Sequence, residues 1–369
     1  MKQWTRVTAV LGLSALVLAA CGEAPEEAAP AAGGAAGETA EASGGAAAPA
    51  TDFTGCMVTD AGGVDDRSFN EAADRGLTQA ETELGITKNV IESSVETDYV
   101  PNVEQLVGAD CDLIVGVGFL LAGAVGDAAA ANPEETFALI DSTLEEPADN
   151  VKPLLFNTAE AAFLGGYLAA GMSETGTVAT FGGIAIPPVT IFMDGFVDGV
   201  AYHNEQNGTD VQVLGWDKAA QDGTFTGDFS NQAAGQTTTE NFISQGADII
   251  LPVAGPVGLG AAAAAEASGT AKLIWVDSDG YESASQYAPL FISSVLKNID
   301  AAVYATTEET IDDAFTSEPY VGTLENGGVG LAPFHDFEDT VPQELKDQLT
   351  EIQDGIIAGD IVVESPAAP

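Results

Sequence analysis

The chain has 369 residues, 46% of them hydrophobic, with 57 acidic and ten basic side chains and a formal net charge of −47. That balance argues against nucleic acid and anionic lipid headgroups as partners, because phosphate contacts need lysines and arginines, which are few. No acidic block stands out, so the charge reads as a solubility device rather than as a site.

Lys2 and Arg6 are followed by the apolar run "VTAVLGLSALVLAA" and then by Cys21. A positive start, a short apolar region and small residues before a cysteine describe a secretory leader over residues 1–20. The run is too short for a transmembrane span. "LVLAAC" resembles the lipobox of bacterial lipoproteins, which makes Cys21 the lipid-bearing residue and anchors the chain on the extracytoplasmic side of the membrane. Residues 21–50 hold no aromatic and no large aliphatic side chain. They cannot bury a core and read as a flexible tether. The domain over residues 51–369 is long enough for two lobes. In this secreted context Cys56 and Cys111 either form a disulfide or remain two buried thiols.

From Phe53 strands and helices alternate. "FTGCMVT" is a short apolar strand. "SFNEAADRGLTQAETEL" is a helix, with Phe69, Ala72, Ala73, Leu77, Ala80 and Leu84 at helical spacing, and Ser68 with Glu71 spells a capping box at its start. Strand "NVIESS", a helix through "VEQLV", strand "CDLIVGVG", a helix through "AVGDAAAA" and strand "TFALID" follow. After "KPLLFNT" the rhythm repeats. Helix "AEAAFLGGYLAAGM", strand "TVATFGG", helix "VTIFMDGFVDGVAYHN" and strand "VQVLGW" precede a polar loop, "DKAAQDGTFTGDFSNQ". A helix to Gln245, strand "DIILPVAG", an alanine-rich helix and strands "KLIWVDSDG" and "LFISSVLK" come next. A helix over Asn298–Asp313, a glycine-rich hairpin "VGTLENGGVGLAPF", a helix near 342–358 and a strand "IVVES" complete the chain. Alternation of this kind means an α/β fold of parallel sheets covered by helices, in two similar lobes with a cleft between them.

Ligands of such sheets bind beyond the carboxyl ends of the strands. Asp60, Asp141, Gly255, Asp277 and Lys297 fall there, and Phe69 and Asn70 open the helix after the first strand. Lys297, one of few basic residues, is either a buried counter-ion for Asp277 or a ligand donor. Asp65, Asp66 and Arg67 read as turn and surface residues, and Gly62 and Gly63 permit a tight turn. Phe225 and Phe229 lie in a polar loop with little core to join. Two aromatics on opposite lobes sandwich a flat ring, carboxylates accept from ring N–H groups or sugar hydroxyls, and a lysine donates. The set suits an uncharged heterocycle carrying a sugar, a nucleoside. A sugar or another small molecule on the same fold, for uptake or signalling, is the alternative.

Catalysis has little support. There is no GxSxG elbow and no Walker A loop, and His203 and His335 lack metal-ligand spacing. "DGTFTGDFSNQA" has Ala233 where a calcium loop needs glutamate. Neither enzyme activity nor a cofactor or metal is expected.

"VTDAGGVDDRSFNEAADRGL", "CDLIVGVGFLLAGAV", "GGIAIPPVTIFMDGFVDGV", "QGADIILPVAGPVGLG" and "NGGVGLAPF" together resemble the basic membrane protein (BMP) family, the substrate-binding lipoproteins of ABC importers related to purine nucleoside-binding lipoproteins. The resemblance implies a type I periplasmic-binding-protein fold, with lobe 1 over about 53–158 plus 281–318 and lobe 2 over about 159–280 plus 319–365. It implies a purine nucleoside (guanosine, inosine or adenosine) as ligand, ABC permease subunits as partners, and a monomer. Phe69 matches one stacking aromatic and Phe229 the other, with Phe225 as rival. Asp60, Asp141, Gly255, Asp277 and Lys297 match polar contacts to base and ribose. The chain departs from the family's pattern in "GGVDDR", in Pro256 and in the length of the loop before Phe229.

Overall fold

The computed structural model describes residues 51–369, so the leader, Cys21 and the tether lie outside the described residues. The first half runs β1 (Thr54–Ala61), α1 (Phe69–Glu83), β2 (Thr87–Ser93), α2 (Tyr99–Val107), β3 (Leu113–Val117), α3 (Ala122–Ala131), β4 (Phe137–Ile140) and β5 (Val151–Phe156). The second half begins with α4 (Thr158–Met172), β6 (Thr177–Gly182), α5 (Pro187–Asn207), β7 (Gln212–Leu214), and the two-residue strands β8 (Trp216–Asp217) and β9 (Asp222–Gly223). It continues with α6 (Gln232–Ser244), β10 (Ile249–Val253), α7 (Val257–Ser268), β11 (Lys272–Asp277), α8 (Gly280–Ser283), β12 (Phe291–Lys297), α9 (Ile299–Ile311), β13 (Tyr320–Gly322), β14 (Val329–Leu331) and α10 (Gln343–Ala358).

Among the described residues the strands form two six-stranded sheets, ordered β13-β5-β4-β3-β1-β2 and β14-β12-β11-β10-β6-β7, and one small hairpin, β8-β9. Every pairing in the two large sheets is parallel except β12 with β14. The strands read as unbroken apolar runs because helices cover both faces. In β1, Met57 joins one core cluster while Cys56 and Val58 join another on the opposite face. The same alternation in β3 sends Leu113, Val115 and Val117 to the first cluster and Ile114 to the second. Helices α4 and α5 meet at backbone distance. A Cβ on Gly199 would lie 2.0 Å from the Phe163 carbonyl oxygen, which is why glycines punctuate "FLGGYL" and "FMDGFVDGV".

Cys56 and Cys111 are joined in a disulfide, closing a sequence separation of 55 residues. Both cysteines are buried members of one core cluster, so the bond restrains a long stretch of the first lobe. Replacing both cysteines by alanine is expected to lower unfolding stability by about 2–4 kcal/mol, read from urea denaturation of oxidised protein and of the double variant.

The lobe boundaries differ from the sequence reading in two places. Strand β12, expected in lobe 1, lies inside the second sheet between β11 and β14. The segment after residue 319, expected in lobe 2, begins with β13, which pairs with β5 in the first sheet. The expected hairpin "VGTLENGGVGLAPF" therefore does not form, because its two arms, β13 and β14, belong to different sheets. Glycines there serve a close crossing instead, since a Cβ on Gly328 would lie 2.3 Å from Gly322 Cα. The chain passes between lobes after β5, after β12 and after β13. The three passages bond to one another, with Asn157 N donating to Gly322 O (2.8 Å) and Asn298 N to Gly328 O (2.9 Å).

"IVVES", expected as a strand, pairs with no sheet. The tail is held by side chains instead. Ser365 Oγ donates to Asp194 Oδ2 (2.6 Å), a buried carboxylate whose Oδ1 accepts from Trp216 Nε1 (2.8 Å) and Gln221 Nε2 (2.9 Å). Ser365→Ala leaves that oxygen without its donor and is expected to cost about 1–2 kcal/mol in urea denaturation.

Candidate functional site

The stretch after β1 carries more structure than a surface turn. Asp66 is 1% exposed and its carboxylate accepts from the backbone N–H groups of Ser68 (3.0 Å), Asn70 (2.8 Å) and Glu71 (3.0 Å). It is the cap of α1, and its charge faces the positive end of the helix. The expected Ser68–Glu71 capping box is absent. A charged carboxylate two residues upstream satisfies the free donors, which releases the Ser68 hydroxyl for another partner. That partner is Asp277 of the second lobe, whose Oδ2 accepts at 2.6 Å. Asp66 is thus a buried structural acid and not the surface residue expected. Burial pushes its pKa up to about 6, against the three N–H groups that lower it.

The same turn binds the second lobe through its backbone. Arg67 has φ 62°, and its carbonyl accepts from Trp275 Nε1 (3.1 Å) and Ser283 Oγ (2.9 Å). Ser278 Oγ donates to the Ser68 carbonyl at 3.0 Å. The lobes are closed on each other through these bonds.

Strand ends supply the other groups. Asp141, Gly255 and Asp277 have φ of 66°, 52° and 65°, left-handed positions that end three strands at the cleft. Aspartate tolerates that region better than most side chains, and such strain clusters at binding sites. Lys297 at the end of β12 forms an ion pair across the cleft with Asp141. The sequence reading left Lys297 between a counter-ion for Asp277 and a ligand donor; here its ion-pair partner is Asp141. Lys297 Nζ also lies 4.9 Å from the ring centre of Phe69, 5.4 Å from that of Phe156 and 5.8 Å from that of Phe192. These rings take part of the ammonium charge.

The carboxyl groups feel burial and one another. Burial drives Asp60 up to about 8, helped by the charges of Asp66, Asp141 and Asp277 and opposed by the hydrogen bond from Asn70. Burial also raises Asp141 and Asp277, in each case against the nearby Lys297 ammonium.

Asp60, Phe69, Asn70, Asp141, Phe229, Gly255, Asp277 and Lys297 all line one interlobe cavity of about 580 Å³, part of it continuous with solvent. Phe69 enters from the first lobe and Phe229 from the second. Phe229 lies over Gly183, where a Cβ would come within 2.4 Å of its ring. The rival Phe225 is turned away, edge-on to Trp216 with ring centres 5.9 Å apart. Sequence reasoning missed Phe192, Val189 and Phe119, which also line the cavity. The signal for the first two was "IPP", since prolines at the start of α5 fix where that helix enters the cleft. Among the described residues no group of three or more His, Cys, Asp or Glu side chains is arranged to hold a metal ion. His203 bonds Thr209 and His335 bonds Asp279. Nor, among the described residues, is any helix long and apolar enough to cross a membrane.

Comparison with known proteins agrees with this architecture. The chain is 30% identical over 333 residues to the "ABC transporter nucleoside-binding protein BmpA" of Lactococcus lactis, covering 85% of this chain and 90% of that protein. It is equally 30% identical over 331 residues to the "CD4+ T-cell-stimulating antigen" of Listeria monocytogenes, covering 85% and 88%. Relatives in Pyrococcus furiosus and Borrelia garinii are named as a lipoprotein and as a basic membrane protein. A solute-binding protein of an ABC transporter system from Aeropyrum pernix superposes with a TM-score of 0.77 at 28% identity, over 85% of this chain and 94% of that one. The sequence model of the Bmp family, described as "ABC transporter substrate-binding protein PnrA-like", matches residues 53–365. The chain belongs to the Bmp family of ABC-transporter substrate-binding proteins, whose work is to bind a solute rather than to transform it.

Proposed function

We propose that this protein captures a purine nucleoside between its lobes and delivers it to the membrane permease of an ABC importer. It works as a monomer tethered to the outer face of the membrane by lipid on Cys21. The observation that carries this reading is the pairing of Phe69 and Phe229, one from each lobe, on a single cavity edged by carboxylates and one lysine. Aromatic faces clamp a flat base, while the polar rim suits ring N–H groups and ribose hydroxyls. The name of the Lactococcus relative supports the same ligand class. Closure over the ligand makes the Ser68–Asp277 and Lys297–Asp141 contacts, so binding and the closed form that meets the permease are linked.

The test is a thermal-shift screen of residues 51–369, unfolded and refolded first to strip carried ligand, against nucleosides, bases, sugars and amino acids, with calorimetry on hits. Stabilisation by guanosine, inosine or adenosine and none by sugars is expected. Stabilisation by sugars alone would discard the nucleoside and keep the solute-binding role.

A further inference from the structure

Four carboxyl groups meet at the cavity, and three of them have strong partners. Asp141 has the Lys297 ammonium. Asp66 has three backbone N–H groups. Asp277 has the Ser68 hydroxyl. Asp60 has only the side-chain amide of Asn70, whose Nδ2 donates to Oδ1 at 2.8 Å. No donor meets Asp60 Oδ2 among the described residues, and that oxygen lies against the bare backbone of Gly118, where a Cβ would sit 2.9 Å away. Asn70 is itself 1% exposed and its Oδ1 has no hydrogen-bond partner. Both residues line the cavity.

The charged and titratable groups around Asp60 are Asp66 of its own turn, Asp141 and Asp277 at strand ends, Tyr99 of α2, and Lys297, already committed to Asp141. The Tyr99 hydroxyl oxygen accepts from Ala61 N (3.4 Å). One ammonium does not neutralise four carboxylates in a closed site, so the least supported of them takes a proton. Burial and these like charges place Asp60 at about 8 in the closed form.

We propose that Asp60 meets the ligand as a neutral carboxylic acid, donating from Oδ2 to an acceptor on the base while Asn70 Oδ1 accepts from the neighbouring N–H. This rests on the nucleoside reading above. An ionised Asp60 beside Asn70 Oδ1 would offer two acceptors and demand two adjacent donors, such as the ring N–H and exocyclic amino group of guanine. A neutral Asp60 reads an acceptor beside a donor, the carbonyl and ring N–H that inosine and guanosine share. The 2-amino group then adds little, and the pair selects the six-membered-ring edge common to both. With the lobes open, water reaches Asp60 and its carboxyl ionises near its ordinary range. Closure on the ligand therefore takes up a proton.

The experiment is calorimetry of inosine and guanosine from pH 5 to pH 8, below the range in which the ring N–H of either nucleoside ionises, in buffers of differing ionisation heat, on wild type and Asp60→Asn. Wild type is expected to take up close to one proton per nucleoside near neutral pH, to lose affinity about tenfold per pH unit up to a levelling near pH 8, and to bind the two nucleosides within about threefold of each other. Asp60→Asn keeps an N–H donor where the acid has O–H. It is expected to bind without proton uptake and with an affinity that no longer falls as pH rises, so that variant and wild type differ in slope whatever the variant's affinity. Nucleoside binding without proton uptake, or a preference of tenfold or more for guanosine, would overturn the neutral acid and leave the nucleoside reading intact. Failure of wild type to bind any nucleoside would overturn both.

Discussion

Lys297→Met is expected to destabilise the folded protein by about 3–5 kcal/mol. The ammonium is 2% exposed and its partner Asp141 7% exposed, so neither charge is relieved by water. Removing the lysine leaves Asp141 buried beside Asp277 with no cation, the arrangement in which a broken pair costs most. The pH dependence follows from the same contact. Burial already raises Asp141, and Lys297 is what lowers it. Without the lysine the native carboxyl holds a proton that the unfolded chain releases above its ordinary range. The folded state of the variant then binds more protons than the unfolded one, and its stability falls as pH rises through neutrality. Urea midpoints at pH 5 and pH 8 check this. The deficit against wild type should be smaller at pH 5, and an equal deficit at both would argue that Asp141 is not left as an unpaired buried charge. Because the pair spans the lobes, the variant should also lose nucleoside binding.

Phe69→Ala is expected to weaken nucleoside binding at least tenfold, about 1.4 kcal/mol or more. The ring is one of two aromatic walls and sits 4.9 Å from Lys297 Nζ, so its loss removes both the stack and a cushion for the ammonium. Asp277→Ala should have an effect of similar size, since it also removes the acceptor of the cross-lobe bond from Ser68. Calorimetry with the best nucleoside reads both. Unchanged affinity in the two variants would place the ligand elsewhere. Phe225→Ala serves as the control, because that ring packs on Trp216 and does not line the cavity.

Much of the candidate site was legible because the rule for open α/β sheets is a rule about sequence. An apolar run that ends in Asp141 or Asp277 marks a strand end, and strand ends face the cleft. The apolar runs themselves were clear for the same reason that both faces of each sheet are buried. Choices between close alternatives were less legible. Phe225 and Phe229 are four residues apart in one polar loop, and only the packing of Phe225 on Trp216 separates them. Ser68 matches the capping pattern, but Asp66 competes for the same N–H groups and wins with a full charge.

The sequence by itself determined the alternation of strands and helices, the two-lobed plan and the groups at the strand ends. These are local or compositional properties, set by periodicity and residue type within a short window. Only the tertiary structure decided which sheet receives β12 and β13, that Lys297 pairs with Asp141, that Asp66 is buried, and that Asp60 has the weakest partner of the four cavity carboxyls. Each of those depends on groups far apart in the chain. Lys297 and Asp141 are separated by 156 residues and Ser68 and Asp277 by 209, and no local pattern records which of several buried acids will lie nearest Lys297.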